Sequence, residues 1–106
     1  MAKYLVVATY TAEGAKGVLK DGGSKRRQAA EAALKSVGGK AEAFYFAFGE
    51  SDAVIIVDAP DHASIVAAAL AINSTGAVTT RTTVLLTPEE VDQAVKKAPS
   101  YQAPGR

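Results

Sequence analysis

The chain contains no cysteine, and His62 is its only histidine. The lack of cysteine excludes disulfides, thiolate metal sites and a thiol nucleophile. A single histidine cannot form a catalytic histidine pair or a multi-histidine metal site within one chain. Glu13, Glu42, Glu50 and Asp52 do not have a recognisable metal-ligand spacing either, so we expect no metal, and we expect no other cofactor. His62 directly follows a predicted helix cap, Asp61, which is typical of a solvated residue in the first turn; general acid or base catalysis is the alternative.

The chain also lacks an excess of charge and a long apolar run. Twelve Lys and Arg residues face eleven Asp and Glu residues, for a net charge of +1, a balance that does not favour nucleic acid or a membrane surface as partner. The longest nearly unbroken apolar stretch, residues 65–72, is far shorter than the roughly 20 residues that a membrane helix needs. Without a targeting pattern at Met1, we expect a cytoplasmic protein.

What is present is enough for one domain. The chain has 106 residues, of which 48% are hydrophobic, and a domain of this size can bury a core without disulfides or a structural metal. We expect a single domain over residues 1–98. Residues 99–106 contain two prolines and a glycine, a composition typical of a loose tail.

Hydrophobic periodicity predicts alternating strands and helices. Strands are predicted at residues 3–10, 41–48, 53–58 and 78–86, and helices at 24–37, 61–73 and 87–98. The last helix opens with Thr87-Pro88-Glu89-Glu90, a capping box with proline at the first helical position. This order predicts an α+β, ferredoxin-like βαββαβ fold with a four-stranded antiparallel sheet in the order 4-1-3-2, plus a C-terminal helix. Phe46 and Ile56 are predicted to lie in the core.

Both faces of the predicted sheet are apolar. In the second strand, Phe44, Phe46 and Phe48 alternate with Ala43, Tyr45 and Ala47, so neither face is polar. Two helices can cover one face only, which leaves an apolar face of roughly 450 Å². We expect this face to form a homodimer; a monomer whose C-terminal helix covers the face is the alternative.

Arg26 and Arg27 stand near the start of the first predicted helix, after Gly22-Gly23. The helix dipole disfavours cations there, so a compensating anion is expected. We predict that one of these arginines binds an anionic ligand beside Tyr10. The alternative is an internal ion pair with Asp21, Glu13 or Asp52.

Arg81 is the only charged residue in the predicted strand 78–86. Together with Tyr10 and Tyr45 it could line a pocket between the sheet and the helices or between subunits. Alternatively it faces water on an edge strand and prevents edge pairing. Ser51 lies between two predicted strands, where a hairpin turn is favoured over a nucleophile elbow, which joins a strand to a helix.

Several short motifs resemble those of the GYD domain family: Tyr10-Thr11, Glu13-Gly14, Lys25-Arg26-Arg27, Gly38-Gly39-Lys40, Phe44-Tyr45-Phe46, Gly49-Glu50-Ser51-Asp52, Ala59-Pro60-Asp61, Gly76-Ala77-Val78 and Arg81-Thr82. The resemblance covers residues 4–86 and implies a ferredoxin-like unit of the dimeric α/β-barrel type. Relatives of that type include small isomerases, cofactor-independent monooxygenases, haem enzymes and ligand-sensing regulatory domains. Ser51 stands where the family motif has tyrosine, so a role that needs that phenol is not expected here.

These observations favour a homodimeric module that binds a small molecule, such as a small anion, or another protein. The candidate ligand-binding residues are Tyr10, Glu13, Arg26, Arg27, Tyr45, Asp52 and Arg81. The alternative, from the fold of the relatives, is a cofactor-independent enzyme of the isomerase or monooxygenase type acting on a small organic acid or aromatic metabolite. A third hypothesis is the ligand-sensing half of a DNA-linked regulator, since no helix-turn-helix segment is present.

Overall fold

The computed structural model describes residues 1–47 and 49–106. Its elements are β1 (Ala2–Tyr10), α1 (Ala12–Asp21), α2 (Gly23–Ser36), β2 (Lys40–Phe46), β3 (Ala53–Ala59), α3 (His62–Asn73), β4 (Val78–Leu85) and α4 (Pro88–Lys96). The strands form one antiparallel sheet in the order β2-β3-β1-β4. This is the predicted order 4-1-3-2 counted from the opposite edge, and the predicted ferredoxin-like α+β fold is confirmed.

One face of the sheet packs against α1, α2 and α3 and contains the core. Alternate residues of β1 and β3 point to this face, because successive side chains of a strand point to opposite sides. Tyr4 and Val57 are the largest fully buried side chains. They are joined in the buried core by Val6, Ala8, Leu34, Ala53, Ile55, Ala59, Ile65, Ala68 and Val78.

No helix of the described residues lies on the opposite side of the sheet, here called the open face. The register places Leu5 and Val7 of β1 on this side, next to Ile56 and Val54 of β3. At one end Lys3 binds both Asp58 and Glu42, with Nζ to carboxylate distances of 2.8 and 2.7 Å. The C-terminal helix does not cover the face, since every residue of α4 is exposed.

Helix α1 has no counterpart in the sequence prediction. Thr11 caps it by accepting a hydrogen bond from the backbone N–H of Gly14 at 3.3 Å, and Glu13 lies in its first turn. Gly14 and Gly17 lower the intrinsic helix propensity and hide the helical pattern. Gly14 is buried against the backbone carbonyl of Ala77, where a side chain would overlap that oxygen. Glycine therefore serves the packing of this helix rather than a turn.

Other differences concern element ends and burial. Strand β2 ends at Phe46 rather than at residue 48, and Phe48 lies outside the described residues. Phe46 is 36% exposed at the end of its strand, and Ile56 lies on the open face, so the prediction of both as core residues is wrong. Helix α2 begins at Gly23, one residue before the predicted start.

Capping signals set the helix ends as predicted. Asp61 accepts hydrogen bonds of 2.8 Å from the backbone N–H and the hydroxyl of Ser64 at the start of α3. Thr87 and Glu90 form the reciprocal capping box of α4. Helix α4 nevertheless stands away from the sheet, since all its residues are exposed, and the chain with this helix measures 57 Å in its longest direction and 22 Å in its shortest.

Candidate functional site

A cleft of about 430 Å³ opens between α2 and α3 above the core side of the sheet. Its floor comes from alternate residues of β1, β2, β3 and β4, and its walls come from the two helices. The residues lining it are Val6, Ala8, Tyr10, Arg26, Ala29, Ala30, Ala33, Phe44, Ala53, Ile55, Ala71, Ile72, Thr75, Ala77, Val78 and Thr80. We call this space the α2–α3 cleft.

The cleft exists because its walls are made of alanine. Ala29, Ala30 and Ala33 project from α2, and Ala71 projects from α3. A methyl side chain is too short to bridge two helices lying on the same sheet, whereas leucine or phenylalanine at these positions would fill the space. Alanine also favours the helical backbone, so the helices form without filling the gap.

The polar groups of the cleft are few. Tyr10, at the end of β1, and Arg26, near the start of α2, both line it and are both half-buried. Thr80 is already engaged by the side chain of Asn73: the Thr80 hydroxyl accepts from Asn73 Nδ2, and the Thr80 backbone N–H donates to Asn73 Oδ1, each at 2.8 Å. That pair fixes the end of α3 on β4 and leaves Arg26 as the charged group of the lining.

A second cavity, of about 530 Å³, lies on the α1 side of Tyr10. It is lined by Tyr10, Ala15, Val18, Gly23, Phe46, Ala47 and Asp52. Asp52 has a structural role here, since its Oδ2 accepts the N–H of Tyr10 at 2.8 Å and its own N–H donates to the carbonyl of Ala8 at 2.9 Å. The carboxylate thereby ties the segment before β3 to the end of β1.

The structure distributes the candidate residues over several surfaces. Tyr10 and Arg26 share the α2–α3 cleft, and Tyr10 and Asp52 share the second cavity. Arg27 lines a separate groove beside Ser24, Phe44 and Phe46. Glu13 is exposed on α1.

Tyr45 and Arg81 lie on the open face, opposite the cleft. Tyr45 pairs with Val54 and Arg81 pairs with Val7, both residues of the open face, and Tyr45 is 71% exposed. The structure therefore does not bring these two residues together with Tyr10 in one pocket. Both side chains are exposed on that face.

Neither Arg26 nor Arg27 forms an ion pair within the part of the chain that the structure describes. The internal ion pair with Asp21, Glu13 or Asp52, given above as the alternative, is therefore not formed. Because α2 begins at Gly23, Arg26 is its fourth residue and ends the first turn, while Arg27 is the fifth residue and begins the second turn. Helix α2 has no side-chain cap and no acidic residue in its first turn.

His62 is exposed at the start of α3 and contacts the buried Tyr4 ring. A hydrogen bond of 2.6 Å joins Tyr4 Oη to His62 Nδ1, and the two rings meet edge to face at 5.7 Å. This bond satisfies a phenol that is otherwise enclosed by the core. The histidine thus supports packing and does not line the α2–α3 cleft.

The pKa shifts lie outside the cleft. Hydrogen bonds to Asp58 and Glu42 raise the pKa of Lys3, and the hydrogen bond from Lys3 lowers the pKa of Asp58. Hydrogen bonds from Ser64 lower the pKa of Asp61. These three groups hold the end of the open face and the start of α3, so their shifts report structural pairing.

Sequence reasoning missed the residues that shape the cleft. Phe44, Thr75, Thr80 and the wall alanines were not candidates, because each is unremarkable by itself. The available signal was the repetition of alanine at 29, 30, 32 and 33 and at 67–69 and 71. Alanine on the sheet side of two neighbouring helices predicts a gap rather than a filled core.

No metal-binding group and no membrane-spanning helix is found among the described residues. Residues 1–47 and 49–106 contain no group of three or more His, Asp or Glu side chains placed to hold a metal. Over the same ranges, no helix combines the length and apolar character that crossing a membrane requires.

Comparison with solved structures shows the fold in another protein. The crystal structure of the Mycobacterium tuberculosis leucine response regulatory protein (LrpA) is similar, with a TM-score of 0.51 and 21% sequence identity. The match covers 81% of this chain and 51% of that protein, so the chain spans about half the length of the regulator. No curated protein matches the sequence. Residues 4–95 match the model of the GYD domain, and the chain belongs to the GYD domain family.

Proposed function

We propose that this chain is a homodimeric binding module that takes a small organic anion with an apolar body into the α2–α3 cleft. The observation that carries the proposal is Arg26 lining an alanine-walled cleft without an internal acidic partner among the described residues. A volume of about 430 Å³ lies within the usual range for small-molecule sites.

The lining specifies the chemistry of the ligand. Alanine, valine, isoleucine and the ring of Phe44 offer an apolar surface, which favours an aromatic or branched aliphatic group. The guanidinium of Arg26 matches a carboxylate or phosphate, which it can bind through two parallel hydrogen bonds. Tyr10, which also lines the cleft, carries a hydroxyl that can donate to an anion. A small aryl or alkyl carboxylate satisfies both requirements.

The open face supports the dimeric part of the proposal. Leu5, Val7, Val54 and Ile56 form an apolar centre on a face of roughly 450 Å² that no helix of the described chain covers. A soluble monomer rarely exposes a larger contiguous apolar patch. A second copy of the chain would remove this surface from water.

The ligand proposal is tested by thermal unfolding in the presence of matched small molecules. Phenylacetate should raise the melting temperature, whereas phenylacetamide, which has the same shape without the charge, should not. Saturation at a hundredfold excess over Kd stabilises by about 2.7 kcal/mol, which is several degrees for a domain of this size.

Variants locate the site. Arg26→Ala should abolish the effect of phenylacetate, while Arg27→Ala, the same change at the neighbouring exposed residue, should retain it. Ala33→Leu should also abolish the effect by filling the cleft. Equal stabilisation of the Arg26 and Arg27 variants, or no stabilisation by a panel of aryl and alkyl carboxylates, would show that the cleft is not an anion site.

A second candidate function uses the same cleft. A cofactor-independent enzyme acting on an organic acid or aromatic metabolite would need a group that exchanges a proton, and Tyr10, which lines the same cleft as Arg26, carries a phenol that could do so. Proton NMR of a bound carboxylate incubated with the protein distinguishes the two functions. An unchanged ligand spectrum supports binding alone, and new resonances that disappear in Tyr10→Phe support catalysis.

A further inference from the structure

A smaller chamber of about 40 Å³, here called the inner chamber, adjoins the α2–α3 cleft. The two spaces share the lining residues Val6, Ala30, Ile55, Ile72 and Thr80. The inner chamber is further lined by Leu34, Val57, Ile65, Ala68, Ala69 and Thr82. Apart from two threonine hydroxyls, this lining is apolar. The inner chamber therefore suits an alkyl group and not a charged one.

Both helices lead from the cleft to the inner chamber. Along α2, Arg26 lines only the cleft, Ala30 lines both spaces and Leu34 lines only the inner chamber. Burial follows the same order, since Arg26 and Ala30 are half-buried and Leu34 is buried. Along α3, Ile72 lines both spaces and Ile65, which is buried, lines only the inner chamber. The deep end thus lies toward the end of α2 and the start of α3.

The strands beneath the helices give the same direction. In β1, Tyr10 lines only the cleft and Val6 lines both spaces. In β3, Ala53 lines only the cleft, Ile55 lines both spaces and Val57 lines only the inner chamber. Because β1 and β3 are antiparallel, both series run toward the same end of the sheet. Four elements therefore enclose one tapering channel, with a half-buried arginine at one end and buried apolar residues at the other.

The length of the channel follows from helix and strand geometry. Arg26 and Leu34 are eight positions apart on α2, which puts them roughly 12 Å apart along the helix axis. Ala53 and Val57 are four positions apart on β3, which is roughly 13 Å along the strand. An extended alkyl chain advances about 1.25 Å per carbon, from its bond length and bond angle. A chain of about eight to ten carbons therefore spans the channel.

We infer that the ligand of the cleft is a medium-chain carboxylate of about eight to ten carbons, with its carboxylate on Arg26 and its alkyl end in the inner chamber. This inference rests on the proposed anion site and adds the class of ligand. The carboxylate lies where Arg26 has no acidic partner among the described residues. Leu34, Val57 and Ile65 are all buried, so they close the far end and limit the length of the chain.

Calorimetric titration with saturated carboxylates, from butanoate to dodecanoate and below their micelle concentrations, tests the inference. Each methylene that moves from water into the apolar channel should lower Kd about fourfold. From hexanoate to decanoate, Kd should thus fall by more than about a hundredfold. Dodecanoate should bind more weakly than decanoate, because the closed end leaves no room for the last carbons.

Ala69→Leu tests where the alkyl end lies. Ala69 is half-buried and lines the inner chamber but not the cleft, so leucine there shortens the channel without touching Arg26. The best-binding chain should become about two carbons shorter, while butanoate should bind as before. Ala67→Leu is the matched control, since Ala67 is exposed on the same helix and lines neither space. Thr82→Ile, which narrows the inner chamber from β4 at an exposed position, replaces Ala69→Leu as the test if circular dichroism shows that Ala69→Leu does not fold.

The outcomes separate this inference from the proposed function. Values of Kd that do not depend on chain length, or that keep falling beyond about ten carbons, overturn the inference. An equal best-binding length in the chamber variant and in Ala67→Leu also overturns it. In each of these cases, binding of phenylacetate that is lost in Arg26→Ala leaves the proposed anion site in place. Absence of binding by every carboxylate, phenylacetate included, overturns both.

Discussion

The contact between α1 and the loop before β4 predicts that replacing two glycines of this helix by alanine has opposite effects on stability. Gly14 and Gly17 both lie in α1, where alanine is normally preferred over glycine by 0.5 to about 1 kcal/mol. A Cβ added at Gly17 meets nothing within 4 Å, whereas one added at Gly14 would overlap the Ala77 carbonyl oxygen and lie 3.1 Å from the Tyr10 ring. The same substitution should therefore have opposite effects.

The cost at Gly14 follows from the bonds that hold α1 in place. To accept a methyl group, the helix must move away from Ala77, whose carbonyl oxygen accepts from the Thr11 N–H at 3.0 Å and from the Thr11 hydroxyl at 3.2 Å. Losing such bonds costs about 1 kcal/mol each, which exceeds the gain in helix propensity. We expect Gly14→Ala to lower the free energy of unfolding by about 1–3 kcal/mol.

Urea denaturation of the two variants measures the difference in their free energies of unfolding, and thermal unfolding gives their melting temperatures. Gly17→Ala should raise the free energy of unfolding by about 0.5–1 kcal/mol, and Gly14→Ala should lower the melting temperature by about 4 °C or more for each kcal/mol lost. If Gly14→Ala stabilises the protein as much as Gly17→Ala does, the close approach of α1 to Ala77 is not a feature of the folded chain.

Three further substitutions test the pairing of polar groups. Asp58→Asn should lower the free energy of unfolding at pH 7, and the difference from the wild type should shrink below about pH 4. The reason is that Lys3 lowers the pKa of Asp58, and the stabilisation from this pair is lost as the folded carboxylate is protonated. Denaturation at pH 7 and pH 3 measures the difference, and an equal difference at both pH values would contradict the reasoning. Tyr4→Phe should cost about 0.5–1.5 kcal/mol in thermal unfolding by removing the hydrogen bond to His62, and a neutral result would show that the bond is not formed. Thr87→Ala should destabilise α4 by about 1 kcal/mol and reduce the helical ellipticity. It should barely change the main melting transition, because α4 is exposed throughout. A large drop in melting temperature would mean that α4 packs against the rest of the chain.

The fold could be predicted because its signals are local. Alternation in residues 3–10 and 53–58 marks strands, and the side chains of Asp61 and Thr87 satisfy the free N–H groups that begin α3 and α4. Right-handed crossovers then allow few strand orders. Local pattern and global topology agree at these positions, which is why the predicted order is confirmed.

The site could not be predicted to the same degree, because it depends on packing between distant segments. Gly14 reads as a helix breaker until Ala77 is placed against it, and the wall alanines read as good helix formers until two helices lie side by side on one sheet. Phe46 shows the same limit, since a phenylalanine in a strand predicts burial only where a neighbouring element covers that end of the sheet. The volume of the cleft and the contact of Gly14 with Ala77 depend on tertiary packing, which a local sequence pattern does not contain.

The alternation of β1 explains how the proposed ligand site and the proposed dimer interface can lie in one small domain without sharing residues. Val6 and Tyr10 line the α2–α3 cleft, while Val7, between them in the chain, lies on the open face opposite Arg81. Arg26 and Arg81 therefore lie on opposite sides of one sheet with no shared partner, and substitutions at such separated sites have nearly additive effects. Arg26→Ala should change the response to carboxylates without changing the mass of the dimer, and Arg81→Glu should weaken the dimer without removing Arg26 from the cleft. A loss of both properties in either variant would mean that the two faces of the sheet are coupled through β1.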